Sequence, residues 1–163
     1  MPERPAGAGP PPERPADAGG RVLALDVGEA RIGVAVSDPG RTVALPAGTI
    51  RVAGGPQDLK AVAGLVAEHQ VTEVVVGHPL TLKGERGTAA MHAEEFAEGL
   101  RMVLDVPVHL QDERLTTVEA ERGLRAAGAS PRERRRSVDQ AAAALILGAF
   151  LDRRTPSGAP DDA

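Results

Sequence analysis

The stretch RVLALDVGEARIGVAVSD, residues 21–38, decides how the rest of the chain is read. Residues 21–27 and 31–37 are two β-rich runs, and Gly28, Glu29 and Ala30 between them have the length and composition of a hairpin turn. Within the first run Val22 and Ala24 share a face with Asp26, while Leu23, Leu25 and Val27 occupy the other. That is the pattern of a central strand buried on both sides. A carboxylate there is expensive unless something meets it. Asp26 is therefore either a side chain capping the Gly28 turn or the first residue of a site.

Outward from this hairpin, a third run at 41–50 follows the turn signal Asp38-Pro39-Gly40, which makes a meander of three antiparallel strands. The period then changes. Leu59, Val62, Ala63, Val66 and Ala67 form a helical face over 56–69. Residues 73–77 form a short apolar strand, 87–103 a helix with Ala90, Phe96, Leu100 and Val103 inward, and 106–111 another strand. Two more helices are signalled by the capping boxes Thr116-x-x-Glu119 and Ser137-x-x-Gln140, so Asp139 is expected in the first turn of the last helix. Strand and helix alternating after the meander imply parallel strands with helices on the sheet faces, in the order β-β-β-α-β-α-β-α-α.

At 163 residues the chain fits one domain, expected over 21–151, between aperiodic Pro- and Gly-rich tails at 1–20 and 152–163 that are expected to be disordered. Phe96 and Phe150 are the only aromatics, so the core must be packed from Ala, Val and Leu, with helices close to the sheet. The absence of Cys removes disulfides, thiolate metal sites and Cys nucleophiles. No stretch reads as a leader or approaches about 18 uninterrupted apolar residues, so a cytoplasmic protein without membrane contact is expected. A net charge of −4 argues against a general polyanion binder, and any nucleic-acid contact must rest on a local patch. All but Lys60 and Lys83 of the 19 basic residues are Arg, which suits bidentate phosphate contacts.

Two further acids stand where neutral residues would serve a fold better: Glu113, just past the VHLQ strand, and Asp139. Singly, Glu113 reads equally well as a surface partner of Arg114, and Asp139 as a carboxylate favouring a helix dipole. Together with Asp26 they belong to a strand, the end of a neighbouring parallel strand and a helix start, which can converge at one sheet edge. Oxygen ligands without His or Cys suit Mg²⁺ or Mn²⁺. The chemistry such a site supports best is in-line attack of water on a phosphodiester, which needs no covalent residue.

Four segments, LALDVGEARIGVAVSD, VVVGHPLTLKGERGTAA, QDERLTTVEAE and SVDQAAAALIL, resemble in order and spacing the YqgF family, also called RuvX, of RNase H-like proteins. The resemblance covers about residues 21–151. It implies an RNase H-like α/β fold, a five-stranded mixed sheet flanked by helices. It also implies a nuclease, assigned in that family to 5′-end maturation of pre-16S rRNA and earlier to Holliday-junction resolution. The family's catalytic acids match Asp26, Glu113 and Asp139 here. His78, between Gly77 and Pro79, stands where the family more often has an aliphatic residue, and is expected to be satisfied by the loop backbone. His69, His92 and His109 read as surface.

For substrate binding, Arg132, Arg134, Arg135 and Arg136 form a basic run immediately before Asp139. Arg31 and Arg114 lie nearer the acids, and Lys83 and Arg86 sit in a Gly-rich loop that could close over a phosphate backbone. The expected partner is nucleic acid, pre-rRNA first and branched DNA second, bound by a monomer or homodimer and recognised by shape and phosphate position in the absence of Tyr and Trp. Two rivals remain. DVGEARIGVAV also resembles the first phosphate loop of actin-like ATPases and sugar kinases, but these need two domains, which about 130 ordered residues cannot supply. A non-catalytic RNA-binding module of ribosome assembly would keep the fold and use its acids structurally.

Overall fold

The computed structural model describes residues 20–113 and 131–154. Nearly all of both expected tails, and the first of the two closing helices with its capping box at Thr116, lie outside the described residues. The described elements are β1 (Arg21–Val27), β2 (Arg31–Ser37), β3 (Ala44–Arg51), α1 (Pro56–Glu68), β4 (Val71–His78), α2 (Thr88–Val103), β5 (Val108–Asp112) and α3 (Pro131–Arg154). They build one five-stranded sheet in the order β3-β2-β1-β4-β5. The meander of β1, β2 and β3 is antiparallel, and β4 and β5 add to it parallel to β1. The mixed α/β sheet expected from the sequence is thus present, with β1 at its centre.

The two faces predicted for β1 bury two different cores. Leu23 and Leu25 join Val34, Val74, Val76 and the inward side of α1 and α2. Val22 and Ala24 join Ala35, Val75 and the α3 residues Ala143, Ile146 and Leu147. Alanines at 90, 93 and 97 carry α2 close to the sheet, as the composition requires, whereas Val103 is exposed rather than inward. Among the described residues no helix is long and apolar enough to cross a membrane.

At the N-terminal end of β1 a buried polar network replaces apolar packing. Arg41, held at a positive φ of 61°, donates to the Gly20 carbonyl, to Thr72 Oγ1 and to Glu73 Oε1, each at 3.0 Å. Glu73 Oε2 lies 2.7 Å from His109 Nε2, and the His109 ring tilts against Phe150 at 5.4 Å. His109 is therefore not the surface residue expected: its odd position on β5 turns it under α3. The network fastens β4, β5 and the turn after β2 to one another, far from Asp26.

Helix α3 differs from expectation at both ends. It begins at Pro131, so Ser137 and Gln140 lie inside it, and it continues through Arg154 instead of stopping at 151. The reason is local. Proline fits the first helical position, and the Arg and Glu residues after it are strong helix formers, so the helix is already running when Ser137 is reached.

Candidate active site

Asp26 is the last residue but one of β1 and projects to the α3 side, after Val22 and Ala24. On β2 the residue paired with it is Gly33. A Cβ at Gly33 would overlap the main-chain carbonyl of Asp139, so the missing side chain is what lets α3 settle against β2 at this level. On β4, Gly77 does the same for the other side: a Cβ there would meet Ile146 Cδ1 at 2.6 Å and the Glu113 carboxylate at 3.0 Å. The strands flanking Asp26 thus carry glycines on the α3 face, and over them lie Asp139 and Glu113. Gly in a strand interior often marks such close approach, and the sequence carries that signal at Gly33 and Gly77.

The acids interact as a charged group would predict. Asp26 and Glu113 share a hydrogen bond. Burial, then the charge of Asp139, pushes the Asp26 carboxyl up to about 6, while the bond from Glu113 pulls the other way. Burial, then the charge of Asp26, pushes Glu113 up to about 8. Burial and mutual repulsion thus make both carboxyls hold a proton more readily than free ones. Asp139 accepts a 2.7 Å bond from Arg31 Nε. Among the described residues no three of His, Asp and Glu stand at metal-ligating spacing, and the Asp139 carboxylate is bonded to Arg31.

Asp139 is not in the first turn of its helix but in the third. Its place beside Asp26 comes from the contact at Gly33 and not from a helix start. The same shift puts the backbone of Arg132, Arg134, Arg135 and Arg136 in the opening turns of α3. Their side chains, and Arg114 altogether, lie outside the described residues. Lys83 is exposed in the loop between β4 and α2. Arg86 is committed: its Nε and Nη2 grip the Glu94 carboxylate at 2.8 and 2.6 Å. His78 joins the same carboxylate at 2.6 Å through Nε2, so it is satisfied by a side chain and not, as expected, by the loop backbone. Arg86 and His78 hold Glu94 well below the usual carboxylate range, to about 2. Glu94, which the sequence did not single out, thereby ties the loop to α2, and the carbonyl of His78 in turn accepts the Glu113 amide at 3.3 Å.

Residues 20–153 match the family described as RuvX: Holliday junction resolvase. The chain belongs to the RuvX family. A RuvX relative from Roseiflexus sp. (strain RS-1), named "Putative pre-16S rRNA nuclease", is 48% identical over 133 residues, covering 82% of this chain and 94% of the relative. One of the same name from Mycobacterium tuberculosis is 49% identical over 150 residues, 88% of each chain. In fold the chain is similar to RuvC from T. thermophilus, solved in complex with a Holliday junction substrate, at a TM-score of 0.50 and 20% identity over 83% of this chain and 96% of that one. The RNase H-like fold is therefore present, and the RuvX chain is a nuclease, a phosphodiester hydrolase by class.

Proposed function

We propose that this RuvX chain is a divalent-metal-dependent nuclease that processes the 5′ end of pre-16S rRNA, with Asp26, Glu113 and Asp139 holding Mg²⁺ or Mn²⁺. The observation that carries the reading is the gathering of Asp26, Glu113 and Asp139 at one end of the sheet, over the strand glycines Gly33 and Gly77. Such a set is costly for folding alone and fits a site built to receive positive charge. The donors fit Mg²⁺ and Mn²⁺ in kind, being carboxylate oxygens without His or Cys. To accept the ion the pair must be free of protons and Asp139 must turn from Arg31. The ion, when bound, supplies charge that stabilises the phosphoryl oxygens.

The remaining work belongs to the chain. Arg31, released as Asp139 turns, is placed to take a phosphate oxygen in a bidentate contact. Glu94 keeps the loop bearing Lys83 against α2 while His78 steadies the main chain at Glu113. The Arg run at 132–136 would track the backbone, each lost phosphate contact lowering the salt dependence by about one unit of slope.

The relatives' name supports the RNA substrate, and the family description keeps a four-way DNA junction as the alternative. The test is to offer the purified protein, with Mg²⁺ or Mn²⁺, a pre-16S 5′ leader and a four-way junction side by side. Cleavage of the leader is expected, lost in Asp26→Asn. Symmetric incision of the junction alone would move the substrate to DNA and require a dimer. Unchanged cleavage by Asp26→Asn would remove the proposed site.

A further inference from the structure

A cavity of about 240 Å³ lies on the face of the sheet opposite the carboxylates. Val27, Ile32, Leu59 and Phe96 form its apolar interior, and the exposed His92 and Glu95 of α2 stand at its mouth across from Gly54 and Gly55. Buried Asp58 also lines it, its two oxygens already engaged by the amides of Ala53 and Gly54 at 2.8 and 2.9 Å. The paired residues Val27 and Ile32 directly follow the pair Asp26 and Gly33. Two of the residues that line the cavity thus lie one position, about 3.4 Å of rise, beyond the Asp26 pair along the strands, and they face the opposite side of the sheet.

No Lys or Arg lines the cavity, so a phosphate is not the group it selects. Its chemistry asks instead for a flat, largely apolar group with a hydrogen-bonding edge. Phe96, one of two aromatics in the chain, is half-buried and lines the cavity, and an aromatic ring is the kind of side chain on which bases stack. Glu95 can accept from amino or imino N–H groups, and His92 can donate or accept. We propose that this cavity receives an unpaired nucleobase of the RNA strand whose scissile phosphate lies at the carboxylates. The proposal rests on the nuclease reading above and adds to it a base-holding subsite on the reverse face.

The test uses the full chain with labelled methyl groups, titrated with each of the four nucleoside 5′-monophosphates in the absence of divalent metal. Saturable shifts are expected at Val27, Ile32 and Leu59 and not at Val22 or Val75 on the other face. Phe96→Leu, which keeps apolar volume, should weaken this binding and raise KM for the leader RNA by about tenfold with kcat preserved. Glu95→Ala, at an exposed position that cannot decide folding, should change the preference among the four bases. Absent shifts, shifts confined to the carboxylate face, or a KM unaltered by both variants in a protein that still cuts RNA would overturn the subsite alone. Cavity shifts in a protein that cuts no RNA would uphold the subsite as a nucleobase site and overturn the reading on which its RNA strand rests.

Discussion

At Asp26 and Glu113, burial works against the charged form. Both carboxyls hold their protons more tightly in the folded chain than in an unfolded one, so the folded state binds more protons between about pH 4 and 8. The metal-free protein is accordingly most stable when both are protonated, and it loses stability as pH rises through about 6 and then 8. Asp26→Asn should raise stability at pH 7.5 by about 1–2 kcal/mol while abolishing cleavage, read by urea unfolding beside an activity assay. A drop in stability on that substitution would contradict the raised pKa of Asp26. For the same reason Mg²⁺ uptake should release protons, and its affinity should climb with pH up to about 8. Calorimetry in two buffers of different ionisation enthalpy measures that release directly. The three acids were legible in the sequence because each stood out against its local pattern. The bond between Arg31 and Asp139 was not, since a contact spanning 108 residues leaves no periodic trace.

Among the elements, the two strand glycines govern how near α3 and the end of β5 come to Asp26. Gly33→Ala pushes against a helix carbonyl, which cannot rotate away, so α3 must lift. That should cost about 1–3 kcal/mol and lower kcat together. Gly77→Ala meets the far end of Ile146 and the Glu113 carboxylate, both of which can move. Its penalty should fall on kcat with little loss of stability, and equal thermal shifts in the two variants would refute the distinction. Strand and helix types were legible because their periods differ so clearly in a chain poor in aromatics. The start of α3 was not, because a four-residue capping pattern at Ser137 matches equally well inside a helix that Pro131 has already begun.

For the molecule as a whole, the sheet has two differently built ends. The acids occupy one, and the network of Arg41, Glu73 and His109 occupies the other, with Arg41 and Glu73 each about 6% exposed in their side chains. Arg41→Met takes the guanidinium from a buried carboxylate and should cost about 3 kcal/mol in stability, while cleavage per folded molecule stays unchanged. A variant of normal stability would show that the network is dispensable. This end was invisible to sequence reading: residues 73–77 read as a short apolar strand, and His109 as surface.

The packing of α3 on β1 and β2 also sets a timetable. Asp26 is made early and lies on the central strand, but Asp139 reaches it only when the last described helix has formed and settled at Gly33. A chain still being synthesised carries two of its three acids with no third to complete the set. On the proposed reading the site stays incomplete until α3 has been made and has settled on β2.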